Sequence, residues 1–291
     1  MTSIAGKTVL LTGASRGIGV FIARALAKEQ ATIIGIGRSH QQLDNLTTEL
    51  KALGCNFIPF TWDISNLSEL PNLLNKINQI VGHVDILINN AGIEIYRSFP
   101  DYSLAEMQSV ISTNLLAAME LSRLLLPNML VQNSGHIVNI ASLAAKKGHP
   151  YDSIYSASKA GLLMWSDAVR QELADTGVQI STICPGYIAE QGMLADTGIP
   201  APSLSGTSQP EAVAKAVIQA INKNQAEVIV NKDLITVTLT KLLFAIWQFF
   251  PKFGDAIYRW IGVTELNNQR VNSQKQMHNL VQHNSKYMKS V

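Results

Sequence analysis

The sequence predicts an α/β fold, a doubly wound parallel sheet in a single domain with a helical extension at its C-terminal end. Three observations predict it. Short apolar runs alternate with helical patterns through most of the chain, the links between them are short, and a glycine-rich turn joins the first run to the first helix. At 291 residues the chain is long enough for one large domain with its own core. Residues 1–230 read as that domain, 231–263 as an apolar helical extension and 264–291 as a polar tail.

The elements follow in order. Thr8 to Leu11 is an apolar run, hence a buried strand. It leads into Thr12-Gly13-Ala14-Ser15-Arg16-Gly17-Ile18-Gly19 and then a helix over 20–30 with Phe21, Ile22, Ala25 and Leu26 on one face. Strand, glycine turn and helix are the context of a dinucleotide site. Glycine lets a pyrophosphate approach the backbone, and the helix start offers free N–H groups. The bland alternative is an ordinary glycine-rich turn. Residues 31–37 form the second strand, followed by Arg38. An acidic residue near this strand's end would bind a ribose 2′-hydroxyl, whereas Gly37, Arg38 and the nearby Arg16 suit a 2′-phosphate, so the charge pattern favours NADP(H). A helix over 39–53 turns Leu43, Leu46 and Leu50 inward and stops at Gly54. The third strand, 57–62, ends at Asp63, and a helix over 67–81 follows. Ile86 to Ile88 is the fourth strand, running into Asn89-Asn90-Ala91-Gly92. The glycine turn, Arg38, Asp63 and Asn90 thus all fall at carboxyl ends of strands, where such sheets bind ligands.

Composition bounds the rest. Charged residues make up 15% of the chain and the net charge is +2. No Lys/Arg block is dense enough for a nucleic-acid track. Cys55 and Cys184 lie far apart without a CxxC pair, so neither a disulfide framework nor a zinc site is expected; both read as small buried apolar residues in a reducing cytoplasm. Met1 to Lys7 is too short and polar for a signal peptide.

Tyr155 and Lys159 are four apart and share one face of a helix. A positive charge beside a phenol favours phenolate, so the spacing predicts a tyrosine of lowered pKa that exchanges a proton with a carbonyl or alcohol. Alone the pair is a weak signal. In series with Thr12-Gly13-x-x-x-Gly17-x-Gly19, Asp63, Asn89-Asn90-Ala91-Gly92, Asn114, Ser142 and Pro185-Gly186, it resembles the short-chain dehydrogenase/reductase family across residues 6–230, most closely its NADP-preferring 3-oxoacyl reductases. The resemblance implies a Rossmann-like fold. It implies that Tyr155 is the general acid, that Lys159 lowers its pKa and holds the nicotinamide ribose, and that Ser142 bonds the substrate oxygen. Asn114, in a helix over 111–126, would anchor a water near Lys159, and Asp63 would contact the adenine. Asn90, Ala91, Gly92, Pro185, Gly186 and Ile188 would line the cofactor cleft with Gly13, Ser15, Arg16, Gly17, Ile18 and Gly19. Taken singly, Ser142 and Asp63 could equally cap local turns and Asn114 could bond within its helix. One departure stands out: Ala189-Glu190 occupies the place where many relatives carry a Thr or Ser that contacts the carboxamide.

Residues 187–209, rich in Gly, Pro, Ser and Thr, read either as a lid over an apolar substrate or as a packed surface loop. A helix from Pro210 to about Lys223 and a strand over 226–230 close the domain. Beyond it, residues 234–250 are apolar with Lys241 as the one charge, and residues 253–263 carry Ile257, Tyr258, Trp260 and Ile261. This extension lies on a membrane surface, packs against the core or a second subunit, or spans a bilayer. Residues 267–291 are polar and read as helix or partly disordered tail. The function expected is interconversion of a carbonyl and a secondary alcohol on a hydrophobic, acyl-chain or lipid-like substrate. The alternatives are a soluble 3-oxoacyl thioester reductase and a non-catalytic NADP-binding scaffold. Family analogy adds a dimer or tetramer.

Overall fold

A computed structural model of the protein describes residues 3–189 and 191–288. Its centre is a seven-stranded parallel sheet in the order β3-β2-β1-β4-β5-β6-β9. The strands are β1 (Thr8–Thr12), β2 (Thr32–Gly37), β3 (Phe57–Thr61), β4 (Ile86–Asn89), β5 (Gly135–Ile140), β6 (Val178–Pro185) and β9 (Glu227–Val230). A small parallel pair, β7 (Tyr187–Ile188) with β8 (Thr207–Ser208), sits in the loop after β6.

The helices cover both faces of this sheet. They are α1 (Ile18–Lys28), α2 (His40–Ala52), α3 (Leu70–Val81), α4 (Leu104–Ile111), α5 (Ala117–Val131), α6 (Ser153–Glu172), α7 (Met193–Asp196) and α8 (Pro210–Lys223). Alternation along a strand splits its side chains between the two faces. Val9 and Leu11 pack with Ile22, Leu43 and Val217 under α1, α2 and α8. Leu10 packs with Leu73, Leu121 and Leu125 under α3 and α5. Because β1 pairs with β2 on one side and β4 on the other, the chain reverses direction of winding there, and a crevice opens at the strands' carboxyl ends.

Local chemistry explains the boundaries. Ser39 caps α2 by accepting from the Gln42 N–H, and Leu43, Leu46 and Leu50 are its buried stripe. Gly54 follows at φ +76°, a left-handed stop. Pro210 opens α8, and Asn224 ends it in the left-handed region. Cys184 is buried beside Ala141, Leu163 and Ile229, and Cys55 is half-buried; both are free thiols.

Asn114 requires a correction. The expected helix over 111–126 is instead one continuous helical segment, Leu104–Val131, interrupted by a π turn at Ser112–Leu116. The wider turn lets the Asn114 side chain leave the helix. Its Oδ1 accepts from the Ile93 N–H at 2.8 Å, and its Nδ2 donates to the Ile93 carbonyl at 2.9 Å and to Ser158 Oγ at 3.0 Å. Such insertions disturb a helix and mark functional positions.

The extension forms α9 (Leu234–Phe249), α10 (Pro251–Trp260) and α11 (Val263–Met288). Asp233 caps α9 by accepting from Thr236 N at 2.8 Å. Trp247 meets Phe244 and Tyr258 edge-on at 5.2 and 5.5 Å, and Val263 completes that cluster. The inner faces of α9 and α10 therefore pack on each other and on the start of α11, and Tyr258 of α10 meets His149 edge-on. At 16 residues α9 is about 24 Å long, short of a hydrocarbon core of about 30 Å. Among the described residues, the helical segment long and apolar enough to cross a membrane is Leu104–Val131, which supplies Leu121, Leu125 and Met129 to the core.

Candidate active site

The first half of the site is a backbone cradle. Gly13 and Gly17 have φ of +67° and +55°, which L-residues with a Cβ rarely adopt. A Cβ on Gly19 would stand 2.0 Å from the Gly13 carbonyl oxygen, and one on Gly13 would stand 2.8 Å from Ala91 Cα. The turn is thus packed without space to spare. Asn90 pins it: Nδ2 donates to the Thr12 carbonyl at 2.9 Å and to that of Gly13 at 3.2 Å. Thr12 Oγ1 accepts from Asn90 N and Ala91 N, both at 3.0 Å. No side chain caps α1, so its first N–H groups face the crevice. An acceptor-rich pyrophosphate fits that cradle.

One cavity of about 920 Å³ runs from this cradle across the carboxyl ends of the strands to α9 and α10. Of the expected cofactor residues, Gly13, Ser15, Arg16, Gly17, Ile18, Arg38, Asp63, Asn90, Ala91, Gly92, Pro185, Gly186 and Ile188 all line it. Gly19 does not; its part is the close packing under the turn. Asp63 is exposed, and its Oδ1 also accepts from the Ser65 N–H and hydroxyl at 2.9 and 2.8 Å, so turn capping and cleft lining coexist. Arg16 departs from the expected free cation: it is ion-paired with Asp196 of α7. Among the described residues Arg38 has no such partner. Glu190, the expected departure, lies outside the described residues.

The second half gathers on α6 and the turn after β5. Ser142, Tyr155 and Lys159 all line the cavity, and Tyr155 and Lys159 are nearly fully buried. Lys159 Nζ donates to the Ile140 carbonyl at 2.7 Å and lies 5.8 Å from the centre of the Tyr155 ring. Ser142 Oγ accepts from Ala144 N at 3.1 Å, which leaves its hydroxyl proton to donate elsewhere. Asn114 stands one layer back. It clamps Ile93, and through Ser158 Oγ, which bonds the Tyr155 carbonyl at 2.7 Å, it braces the start of α6. A Cβ on Gly92 would be 3.4 Å from Asn114 Oδ1 and 3.5 Å from Lys159 Nζ, which shows how closely this strand end abuts the pair.

The electrostatics correct one expectation. Tyr155 is not lowered. Burial, then the neighbouring Glu94 and Asp152 carboxyls, push its phenol well above the ordinary value, against a smaller opposing pull from its bond with Ser142. The ammonium that should favour phenolate is directed at the Ile140 carbonyl instead. Burial in turn brings Lys159 down from 10.5 to about 8.

Sequence reading missed the far end of this cavity. His149 stacks on Tyr187 with centroids 6.1 Å apart and meets Tyr258 edge-on at 5.6 Å; burial holds its imidazole neutral, down at about 4. Leu239, Leu243, Phe244, Trp247, Ile257 and Trp260 give the far wall an apolar lining. Glu94 and Tyr96 also line the chamber. The polar tail is part of the architecture: Gln274 Oε1 accepts from Tyr96 N at 2.9 Å, and Ser273 Oγ donates to the Thr197 carbonyl at 3.1 Å. Among the described residues no group of three His, Cys, Asp or Glu side chains is placed to hold a metal ion.

Comparison with known proteins agrees with this geometry. The short chain dehydrogenase family matches residues 7–198. The chain belongs to the short-chain dehydrogenase/reductase family and is an oxidoreductase that binds a nicotinamide cofactor. It is 57% identical over 270 residues to ketoacyl reductase HetN of a Nostoc species, covering 93% of this chain and 94% of that protein. It is 33% identical over 226 residues to an uncharacterized oxidoreductase of Staphylococcus haemolyticus, covering 77% of this chain and 94% of the other. Among solved structures, a metagenomic short-chain oxidoreductase in complex with NADP superposes with a TM-score of 0.70 at 28% identity, over 80% of this chain and all of that one. A short chain dehydrogenase/reductase from Burkholderia phymatum in complex with NAD has a TM-score of 0.77 at 22% identity, over 87% and 97% of the two chains.

Proposed function

We propose that the protein reduces a carbonyl to a secondary alcohol on a hydrophobic, acyl-chain or lipid-like substrate, using NADPH. The observation that carries this reading is the place of Ser142, Tyr155 and Lys159. They stand between a nucleotide cradle and an apolar chamber on the wall of one continuous cavity. NADPH, when bound, supplies the hydride. Tyr155 donates its phenolic proton to the oxygen as charge develops there. Ser142 donates to the same oxygen, so the charge meets preplaced donors. Lys159 keeps a positive charge beneath the phenol and holds the cofactor ribose with its remaining N–H groups. Asn114 keeps the strand end and α6 in register. The ketoacyl name of the Nostoc relative supports a 3-oxoacyl group as the carbonyl.

Arg38 supports NADPH over NADH. It follows β2, in the position where an acid would reject a 2′-phosphate, and it is exposed and, among the described residues, unpaired. Nicotinamide absorbance followed with ketones and 3-oxoacyl thioesters of increasing chain length tests both points. Turnover should rise with chain length and prefer NADPH, and Arg38→Asp should cut that preference by about 100-fold. Turnover with NADH alone would overturn the assignment.

The outer face of α9 and α10 supports a peripheral membrane contact. Leu234 and Phe249, at the two ends of α9, and Trp260 at the end of α10 are 81%, 79% and 75% exposed, bare apolar side chains along the extension. Lys232, Lys241, Lys252 and Arg259 are exposed around them and match an anionic lipid surface. The protein should float with phosphatidylglycerol vesicles, and Phe249→Asp with Trp260→Asp should abolish this. If it stays in solution as a dimer or tetramer that the same changes dissociate, the face is a subunit contact instead.

A further inference from the structure

The cavity reaches the surface at two places of opposite polarity. At the cradle end Arg16, Arg38, Asp63 and Asp196 line it and are exposed, a charged rim that suits a nucleotide. At the other end Leu204, Leu239 and Trp260 line it and are 77%, 54% and 75% exposed. Apolar side chains that line a cavity and also stand mostly in solvent mark a mouth.

Three segments far apart in sequence are fastened around that mouth: the loop between α7 and β8, the first half of α9 and the end of α10. Ser203 Oγ donates to the Ile261 carbonyl at 3.3 Å, which ties the loop to the chain beside Trp260. Asn231 Nδ2 donates to the Ser205 carbonyl at 3.2 Å and to Thr240 Oγ1 at 3.3 Å, which ties the other side of Leu204 to α9 beside Leu239. A Cβ on Gly206 would stand 2.7 Å from Asn231 Oδ1, so the loop is pressed onto this anchor. Leu204, between its two anchored neighbours, has φ +64°, a left-handed backbone that leucine rarely adopts.

Between the two mouths the roof is held down by α11. Ser273 Oγ donates to the Thr197 carbonyl at 3.1 Å, Arg270 Nη2 donates to the Pro200 carbonyl at 2.7 Å, and Gln274 Oε1 accepts from Tyr96 N at 2.9 Å. An entering chain therefore finds one charged opening and one apolar opening. Behind the apolar one, Leu243, Phe244 and Ile257 continue the apolar lining. Beside it, Lys241 and Arg259 are exposed and match anionic head groups. We propose that the mouth at Leu204, Leu239 and Trp260 is the substrate's entrance, and that the acyl chain passes through it directly from an anionic lipid surface. Passage from lipid into this mouth keeps apolar carbon out of water along the way. This inference rests on the carbonyl-reduction and membrane-contact readings above.

The test separates the entrance from the lipid source. Entry is measured in solution, by stopped-flow fluorescence of Trp247 and Trp260 as a short, water-soluble 3-oxo ester binds the protein in the presence of NADP+. Leu204→Phe narrows the mouth without adding charge, so association and dissociation should both slow by about 10-fold while affinity stays within about 3-fold. Leu239→Phe, on a regular helix, repeats the measurement where the backbone is unstrained. Unchanged association rates in both variants overturn the entrance. The source is measured by turnover of a long-chain 3-oxo ester held in phosphatidylglycerol vesicles. Leu234→Asp with Phe249→Asp, at positions that do not line the cavity, should cost about 10-fold with the vesicle-borne ester and leave the soluble one within about 2-fold. A double variant that no longer floats with vesicles, yet turns over their ester at the wild-type rate, overturns passage from lipid. If the wild type does not float, the membrane-contact reading falls, and if neither ester is turned over, the carbonyl-reduction reading falls; in both cases the binding rates still decide the entrance.

Discussion

Tyr155→Phe should lower kcat/KM for carbonyl reduction by about 10³-fold and leave NADPH binding within a few-fold of wild type. The substitution removes one oxygen from a side chain only 9% exposed and keeps its ring against Val110 and Ala144. The fold and the cradle at Gly13–Gly19 should therefore be intact. What is lost is the donor that meets the developing oxyanion. Ser142 remains as a hydrogen-bond donor, so a residue of activity above background is expected. The direction of the phenol's shift sharpens the case. Burial and the nearby carboxyls hold the Tyr155 phenol well above its ordinary value, which on the proposed mechanism suits a proton donor to a carbonyl. Steady-state kinetics beside NADPH titration by fluorescence separate the two quantities. A variant that binds NADPH and turns over at the wild-type rate would return the protein to a binding scaffold.

How much of this was legible in the sequence follows from the range of the interactions. The strand–turn–helix at 8–28, the Leu43, Leu46 and Leu50 stripe and the Tyr155–Lys159 pair are local patterns, and local periodicity carries them. Order along the chain then places their chemistry at strand ends, because a parallel sheet allows few arrangements. The rest is long-range. Nothing near Asn114 announces a π turn; it forms because the amide reaches Ile93 on another element. Gln274 meets Tyr96 from 178 residues away, and a polar tail gives no periodic signal that it will roof a cleft. The tyrosine's shift was read with the wrong sign because spacing reveals the ammonium but not where it points, and reveals neither Glu94 nor Asp152. Arg16 was read as a ready phosphate partner for the same reason, since its pairing with Asp196 of α7 is made across 180 residues of chain.

Lys159→Met should lower kcat/KM by about 10²-fold or more, and the same change should make the protein more stable. The two effects have one cause. Lys159 is a charge carried at 3% exposure with one hydrogen bond, to the Ile140 carbonyl. Burial depresses its ammonium from 10.5 to about 8. The folded protein then binds fewer protons than the unfolded chain between these values, so wild-type stability rises as pH climbs from about 8 to 10.5. Below about 8 both states are protonated and the full penalty of the buried charge stands. Methionine fills the same volume without that charge. Its advantage should be about 1–3 kcal/mol at neutral pH, after the lost hydrogen bond is subtracted, and should fade toward alkaline pH. Activity reports the same titration with the opposite sense. Wild-type kcat/KM for reduction should decline above pH about 8 as the ammonium is lost, while Tyr155 remains protonated. The residual activity of the methionine variant should lack that limb. Denaturant melts and pH–rate profiles of the two proteins check both claims, and a variant that is less stable at pH 7 yet keeps the alkaline limb would mean that another group titrates there.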